Sequence, residues 1–253
     1  GNEKTRENVI RRELKLYPGD VFSRSKLMRS QRDIWILNYF DNVIPDVTPI
    51  SDDKVNLDFV VEEKKSTQRI NANLGFTGEY GITGGAGVEF DNFRGKGQKL
   101  NIGASTGTNF SVYTTQEPSK YRSLNISFQD PMINDSPYLV GASIFYSFRG
   151  SSTNYYFPLD FTVGGAVASF GRRLEWPDDF FRVMWSTKFM QKEYEGSQTD
   201  IDNYIGGLQK TRGISLSQVL SRDSRNRAEF PTRGSTFIIE NTCLLYTSPS
   251  PRD

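Results

Sequence analysis

Two glycine-rich stretches, Gly84-Gly85-Ala86-Gly87 and Arg94-Gly95-Lys96-Gly97, are the first candidates for chemistry, because closely spaced backbone N–H groups can cradle phosphate. Neither has P-loop spacing and neither opens a helical pattern, so both read as turn or close-packing glycine. Two carboxylate pairs, Asp52-Asp53 and Asp178-Asp179, fall in loops and are expected to be solvated. Arg222, Asp223 and Arg225 form an ion-pair cluster in a turn, with no catalysis assigned to it. The chain has no histidine and one cysteine, Cys243, which excludes Ser-His-Asp and Cys-His catalysis, an intrachain disulfide and most zinc chemistry. No cofactor or metal is expected, and the chain is not read as an enzyme. The 31 Lys and Arg nearly balance the 30 Asp and Glu, so no basic stripe points to nucleic acid.

What remains is the chemistry of the backbone, and two kinds of element carry it. Residues 1–66 read as helix, helix, strand, strand. Thr5 is the expected N-cap of a helix with Val9, Ile10 and Leu14 on one face. Pro18-Gly19-Asp20 ends it. Ser23 caps a second helix, with Leu27, Ile34 and Leu37 on one face and Phe40 at its end. Pro45 and Pro49 bracket a short edge strand around Val47. Val55, Leu57, Phe59 and Val61 then alternate as a half-buried strand, closed by the solvated charge run Glu62-Glu63-Lys64-Lys65.

From Gln68 the period becomes two. Ile70, Ala72, Leu74 and Phe76 alternate with Asn71, Asn73, Gly75 and Thr77. Further runs follow at Ile82–Phe90, Leu100–Ala104, Leu124–Phe128, Val140–Phe148, Leu159–Val167, Phe181–Phe189 and Ile214–Leu220, and Phe237 and Ile239 begin a ninth. In the sixth, Leu159, Phe161, Val163 and Val167 are taken as the apolar set. No apolar run reaches the roughly 18 residues of a membrane helix, so any crossing is by strands. Soluble sandwiches alternate too. Here the polar face is mostly Asn, Ser, Gly, Gln and Thr, which suits a crowded lumen, and aromatics such as Phe90, Phe93, Tyr113, Tyr138, Tyr146, Phe148, Trp176 and Trp185 lie near strand ends as in interfacial girdles. Compact connections at 92–99, 131–137, 175–179 and 223–234 alternate with a longest loop at 195–210, as periplasmic turns alternate with outer loops.

The residues also carry a resemblance. Val9-Ile10-Arg11-Arg12-Glu13, Tyr39-Phe40-Asp41-Asn42-Val43 and Val60-Val61-Glu62-Glu63-Lys64 resemble the barrel-proximal POTRA domain of outer-membrane assembly factors of the BamA type, with its first strand missing. The charges of Arg11-Arg12-Glu13 individually read as a solvated helix face. Asn92-Phe93-Arg94-Gly95-Lys96-Gly97 and Arg222-Asp223-Ser224-Arg225-Asn226 with Phe230-Pro231-Thr232-Arg233-Gly234 resemble that family's barrel turns, and Gln129-Asp130-Pro131 resembles the end of its fourth barrel strand. The implied fold is an α+β POTRA module at 1–66 followed by the N-terminal half of an antiparallel transmembrane β-barrel, its first eight to nine strands, at 67–242. Both ends read as cuts, and 243–253 is expected to be a non-native tail.

Three functions fit this plan: an insertase for β-barrel proteins, a polypeptide-translocating barrel of the two-partner secretion type, and a plain channel. A passive pore has no need of a chain-binding module, and the resemblance favours the first. It implies an outer-membrane barrel with the POTRA module in the periplasm. Its implied partners are unfolded outer-membrane clients, accessory assembly lipoproteins and outer-membrane lipid, with no nucleic acid. It further implies a weak lateral seam at the first barrel strand, where Ile70, Asn71, Ala72, Asn73, Leu74, Gly75 and Phe76 template a client strand. There Ile70, Ala72, Leu74 and Phe76 are expected to face lipid, and Asn71 and Asn73 the lumen. Asp46, Val47 and Thr48 are the candidate POTRA edge for strand addition.

Overall fold

In the computed structural model, residues 2–77, 81–108, 120–151, 158–225 and 231–247 are described. Tyr113, Asn226, Phe230 and the last residues of the tail lie outside them.

The α+β module opens with α1 (Glu7–Arg11) and α2 (Arg24–Ile36). Ser23 caps α2 by accepting from the Lys26 amide at 3.5 Å. Thr5 does not cap α1: Arg6 holds that position with no side-chain bond. Thr5 is instead buried and accepts a side-chain bond from Asn92, far along the chain. The hydroxyl of the fully buried Ser30 accepts from Lys15 N at 2.8 Å and donates to Lys26 O at 2.9 Å, fixing the inter-helix loop on α2.

The helices pack one face onto a hairpin of β1 (Phe40–Ser51) and β2 (Lys54–Glu63), burying Val9, Ile10, Ile34, Tyr39, Phe40, Val43 and Val61. Phe40 starts β1 rather than ending α2, and β1 runs through both prolines. Proline has no N–H, so the ladder to β2 runs through Ile44, Asp46 and Thr48, and Pro45 and Pro49 turn their nitrogens away from it.

A second, nine-stranded antiparallel sheet follows as a meander: β3 (Gln68–Thr77), β4 (Gly81–Phe93), β5 (Gln98–Thr108), β6 (Lys120–Asp130), β7 (Tyr138–Arg149), β8 (Asp160–Arg173), β9 (Phe181–Glu195), β10 (Lys210–Asp223) and β11 (Thr236–Thr247). Between β9 and β10 lies α3 (Gln198–Ile205), capped by Ser197 at its start and by Gly206 in the left-handed region at its end. β3 and β11 are the two edges, so the sheet does not close. β11 continues past residue 242, with Cys243 opposite Leu216 and Leu245 opposite Ile214.

Register brings like side chains together. One row across all nine strands reads Ile70, Val88, Ile102, Ile126, Ile144, Ala166, Phe189, Ile214, Leu245. The adjacent row on the opposite face begins Asn71, Gly87, Gly103, Asn125. One strand departs from its expected phase. In β8 the apolar-face positions are Ala166, Ala168 and Phe170, which pair with Ile144, Ala142 and Val140. Phe161, Val163 and Val167 therefore lie on the other face. Neighbouring strands fix the register, and the small Gly164-Gly165-Ala166 segment hides the phase from the sequence.

Candidate functional site

β3 bonds to β4 on one side, and its other side is a sheet edge. Its apolar face is open: Ile70, Leu74 and Phe76 are 79%, 82% and 79% exposed. Across the ladder, β4 offers few side chains to grip. Asn71 pairs with Gly87, Asn73 with Gly85, Leu74 with Gly84 and Thr77 with Gly81, while Gly75 pairs with Thr83. Cross-strand side-chain pairs contribute roughly 0.2–1 kcal/mol each over Ala–Ala, so glycine opposite a side chain forfeits most of that. The glycines have a steric use on the polar face. A Cβ on Gly85 would lie 2.6 Å from Asn73 Oδ1, and one on Gly103 would lie 2.5 Å from Asn125 Oδ1. The asparagine side chains thus lie flat over the neighbouring strand.

The base of β3 is anchored by charge. Arg69 reaches Glu89 and Asp91, each at 3.0 Å. Thr67 O accepts from Asp91 N at 3.3 Å. Only residues 64–67 separate β3 from β2. That linker is held on the module by Lys64 N donating to Tyr39 O at 2.9 Å and by Lys4 Nζ donating to Lys65 O at 2.7 Å.

Glu63 closes the arrangement. Its carboxylate accepts from the backbone amides of Glu3, Lys4 and Thr5 at 2.8, 2.8 and 2.6 Å. Partial burial pushes its pKa up, but the bonds from Thr5, Lys4 and Glu3 outweigh it and hold the group below its ordinary value. The expectation of a solvated charge run is therefore wrong at Glu63. The sequence signal was faint: one acid at a strand end, 58 to 60 residues from the amides it binds.

All four connections at this end of the large sheet touch the module. In the β4–β5 turn, Gly95 O accepts from Arg6 N at 2.9 Å, and Gly97 O accepts from the Tyr39 hydroxyl at 3.4 Å. Asn92 donates to Thr5 Oγ1 at 2.8 Å and accepts from Gly97 N at 2.7 Å. Gly95 and Gly97 both have φ of +70°, and a Cβ on Gly95 would clash with the Lys4 carbonyl. This is the close packing that the Arg94–Gly97 glycines serve. In the β6–β7 turn, Asp135 accepts from Asn8 at 2.9 Å and pairs with Arg12 at 3.4 Å. In the β8–β9 turn, Asp179 pairs with Arg29 at 3.0 Å, and the Arg29 guanidinium lies 3.9 Å from the Phe180 ring centre. Arg32 donates to Arg225 O of the β10–β11 turn.

Several charges expected in solvent are therefore engaged. Asp178 pairs with Arg222 at 2.8 Å, tying the β8–β9 turn to β10, while Asp179 binds the module. The side chains of Arg12 and Glu13, just past the end of α1, are buried, and of the three charges only Arg11, paired with Glu7, is solvated. Glu13 faces Arg173 at 3.9 Å; burial raises its pKa against the opposing pull of that cation. Burial, reinforced by Asp91, pushes the Tyr39 phenol up to about 12. Asp223 and Arg225 pair at 2.7 Å, but Arg222 binds Asp178 rather than Asp223, so the expected three-residue cluster holds only in part.

The candidate POTRA edge lies elsewhere, on the hairpin. Along the outer side of β1, Pro45 and Pro49 supply no amide, and Val43 O is taken by Gln31 at 2.8 Å. Val47 is the one position between the prolines with both an outward N–H and an outward C=O. The structure does not bring Asp46, Val47 and Thr48 to β3.

Residues 92–248 match the model of the Omp85 superfamily domain. The chain belongs to the Omp85 superfamily. Residues 1–64 match the POTRA model, described as a surface antigen variable number repeat. This Omp85 chain is 28% identical over 247 residues to the outer membrane protein assembly factor BamA of Nitratidesulfovibrio vulgaris, which covers 94% of this chain and 28% of that relative. The fold matches BamA from Haemophilus ducreyi lacking POTRA domains 1–3 with a TM-score of 0.67 at 20% identity, covering 97% of this chain and 47% of that one. It matches CdiB from Acinetobacter baumannii with a TM-score of 0.54 at 17% identity, covering 97% and 45%. The chain thus spans about a quarter of the relative's length and about half of each solved chain. Family membership places the nine-stranded sheet in the outer membrane and the POTRA module in the periplasm.

Proposed function

We propose that this chain forms the periplasm-to-membrane junction of an assembly factor that inserts β-barrel proteins into the outer membrane, with β3 as the strand on which a client strand is templated. The observation that carries the reading is the chemistry of the β3–β4 pair. β3 is the first strand of the sheet, and glycines of β4 opposite Asn71, Asn73 and Leu74 leave it weakly gripped. In a bilayer, unpaired backbone N–H and C=O groups cost several kcal/mol each, so an opened edge strongly favours a new partner strand. The mechanism is non-covalent. Ile70, Ala72, Leu74 and Phe76 face lipid and Asn71 and Asn73 face the lumen, and a client adds by backbone bonds that make little sequence demand. Unfolded clients reach β3 by way of the POTRA module, where strand addition centres on Val47. Accessory lipoproteins dock on the same module.

The test is a disulfide that joins β3 to the last strand of the full-length barrel. Client insertion stops when the bond forms and recovers on reduction. Normal insertion through a fully formed bond removes the seam from the mechanism. The rival reading, polypeptide export through the lumen, draws support from the structural likeness to CdiB. An exporter keeps its activity with the seam bonded, so the same variant separates the two.

A further inference from the structure

Residues Glu3–Arg6 touch three things at once. Their amides bind the Glu63 carboxylate at the end of β2. The Lys4 ammonium holds Lys65 O in the linker to β3. Thr5 and Arg6 bind Asn92 at the end of β4 and Gly95 in the β4–β5 turn. The segment is therefore a strap laid between the module and the base of the β3–β4 pair. An open pocket of about 380 Å³, lined among others by Lys4, Glu63, Ser66, Gln68 and Asn92, lies beside it.

We propose that Glu63 is a positioning residue for the client-pairing strand: through the strap it fixes the base of β3, so that displacement of the POTRA module is transmitted to the seam. Three parallel N–H bonds to one carboxylate grip the strap by its backbone, whatever its side chains. Because only residues 64–67 join β2 to β3, a shift at Glu63 reaches Gln68 with little slack. Asn92 is the second hold, since it ties the strap to β4 and the turn at once. This inference rests on the reading of β3 as the pairing strand, but its test uses no client.

Amide hydrogen exchange is followed in the full-length protein in nanodiscs, for the parent and for Glu63→Gln. The variant speeds exchange about tenfold at Glu3, Lys4 and Thr5 and severalfold at Gln68–Ala72, and leaves β6–β9 unchanged. A second variant adds Thr5→Cys and Asn92→Cys to Glu63→Gln. The resulting disulfide replaces the lost hold and returns Gln68–Ala72 to the parent's rate. A role confined to module stability gives another pattern, with faster exchange at Val9, Ile34 and Val43 and none at β3, and that pattern overturns the proposal. So does rapid exchange at β3 that persists after the disulfide has formed. Slow β3 exchange restored by the disulfide, in a protein that still fails to insert clients, upholds the strap and removes the client reading.

Discussion

β3–β4 and β7–β9 belong to one sheet, yet different chemistry holds them together. In the wall, Tyr138 stacks on Phe170 at 5.7 Å and Phe170 on Trp185 at 6.3 Å, while Phe161 stacks on Tyr194 at 4.8 Å on the other face. Ile126, Ile144 and Phe189 share one row. At the edge, Asn and Leu side chains face glycine. Aromatic pairs contribute about 0.5–1.5 kcal/mol beyond their buried area, and a glycine opposite forfeits most of the cross-strand side-chain pair. The backbone ladder is common to both regions, and β7–β8 also sets Phe145, Tyr146 and Leu139 opposite glycine, so what distinguishes the wall from β3–β4 among the described residues is its aromatic stacking. The edge is held instead from below, by Arg69, the strap and the turn glycines.

The largest effect is expected at that lower hold. Gly95→Val puts a branched Cβ into the Lys4 carbonyl at a residue with φ of +70°, and costs about 1–3 kcal/mol from backbone strain alone. The module should undock from the turn, seen as protease cleavage at residues 64–67, while the wall keeps its thermal unfolding temperature. Next, the edge can be made wall-like. Gly84 stands opposite Leu74, whose Cδ1 would lie an ordinary 3.6 Å from a new Cβ. Gly84→Val adds an apolar cross-strand pair of roughly 0.2–1 kcal/mol, so client insertion should slow about two- to fivefold while thermal stability rises. The converse change, Trp185→Ala, removes an aromatic stack from the wall. It should lower the unfolding temperature and leave the insertion rate per folded molecule unchanged.

Much of the edge was legible in sequence, because alternation of Ile70, Ala72, Leu74 and Phe76 with asparagine has only one phase. β3 begins and ends at the expected Gln68 and Thr77. β8 was misread because valines stand on its polar face, and only its register against β7 reveals the phase. The strap was invisible for another reason. Thr5, Glu63 and Asn92 are ordinary polar residues, and their partners are backbone groups that any sequence supplies. Likewise Asp178 and Asp179 read as a solvated pair until the fold set Arg222 and Arg29 beside them.

The smallest effect concerns pH. The folded pKa of Glu63 lies below the ordinary 4.5, so its contribution is complete above that value and is lost as pH falls through the folded pKa. Exchange at Glu3, Lys4 and Thr5, corrected for intrinsic rate, should stay flat from neutral pH down to about the ordinary carboxylate value and rise only below it. Glu63→Gln should abolish that rise. Exchange in β7–β9 should not respond.

The central claim, that the weakly gripped edge rather than the wall accepts the client, is tested most directly by disulfide trapping of a stalled client. Single cysteines are placed along β3 at Ile70, Asn71, Ala72, Asn73 and Leu74, and along β7 at Ala142, Ser143 and Ile144, against one cysteine in a client terminal strand. Adducts are expected along β3 alone. They should recur every second residue, because successive side chains of a paired strand point to opposite faces. Adducts at β7, or adducts at β3 with no two-residue period, would contradict the claim.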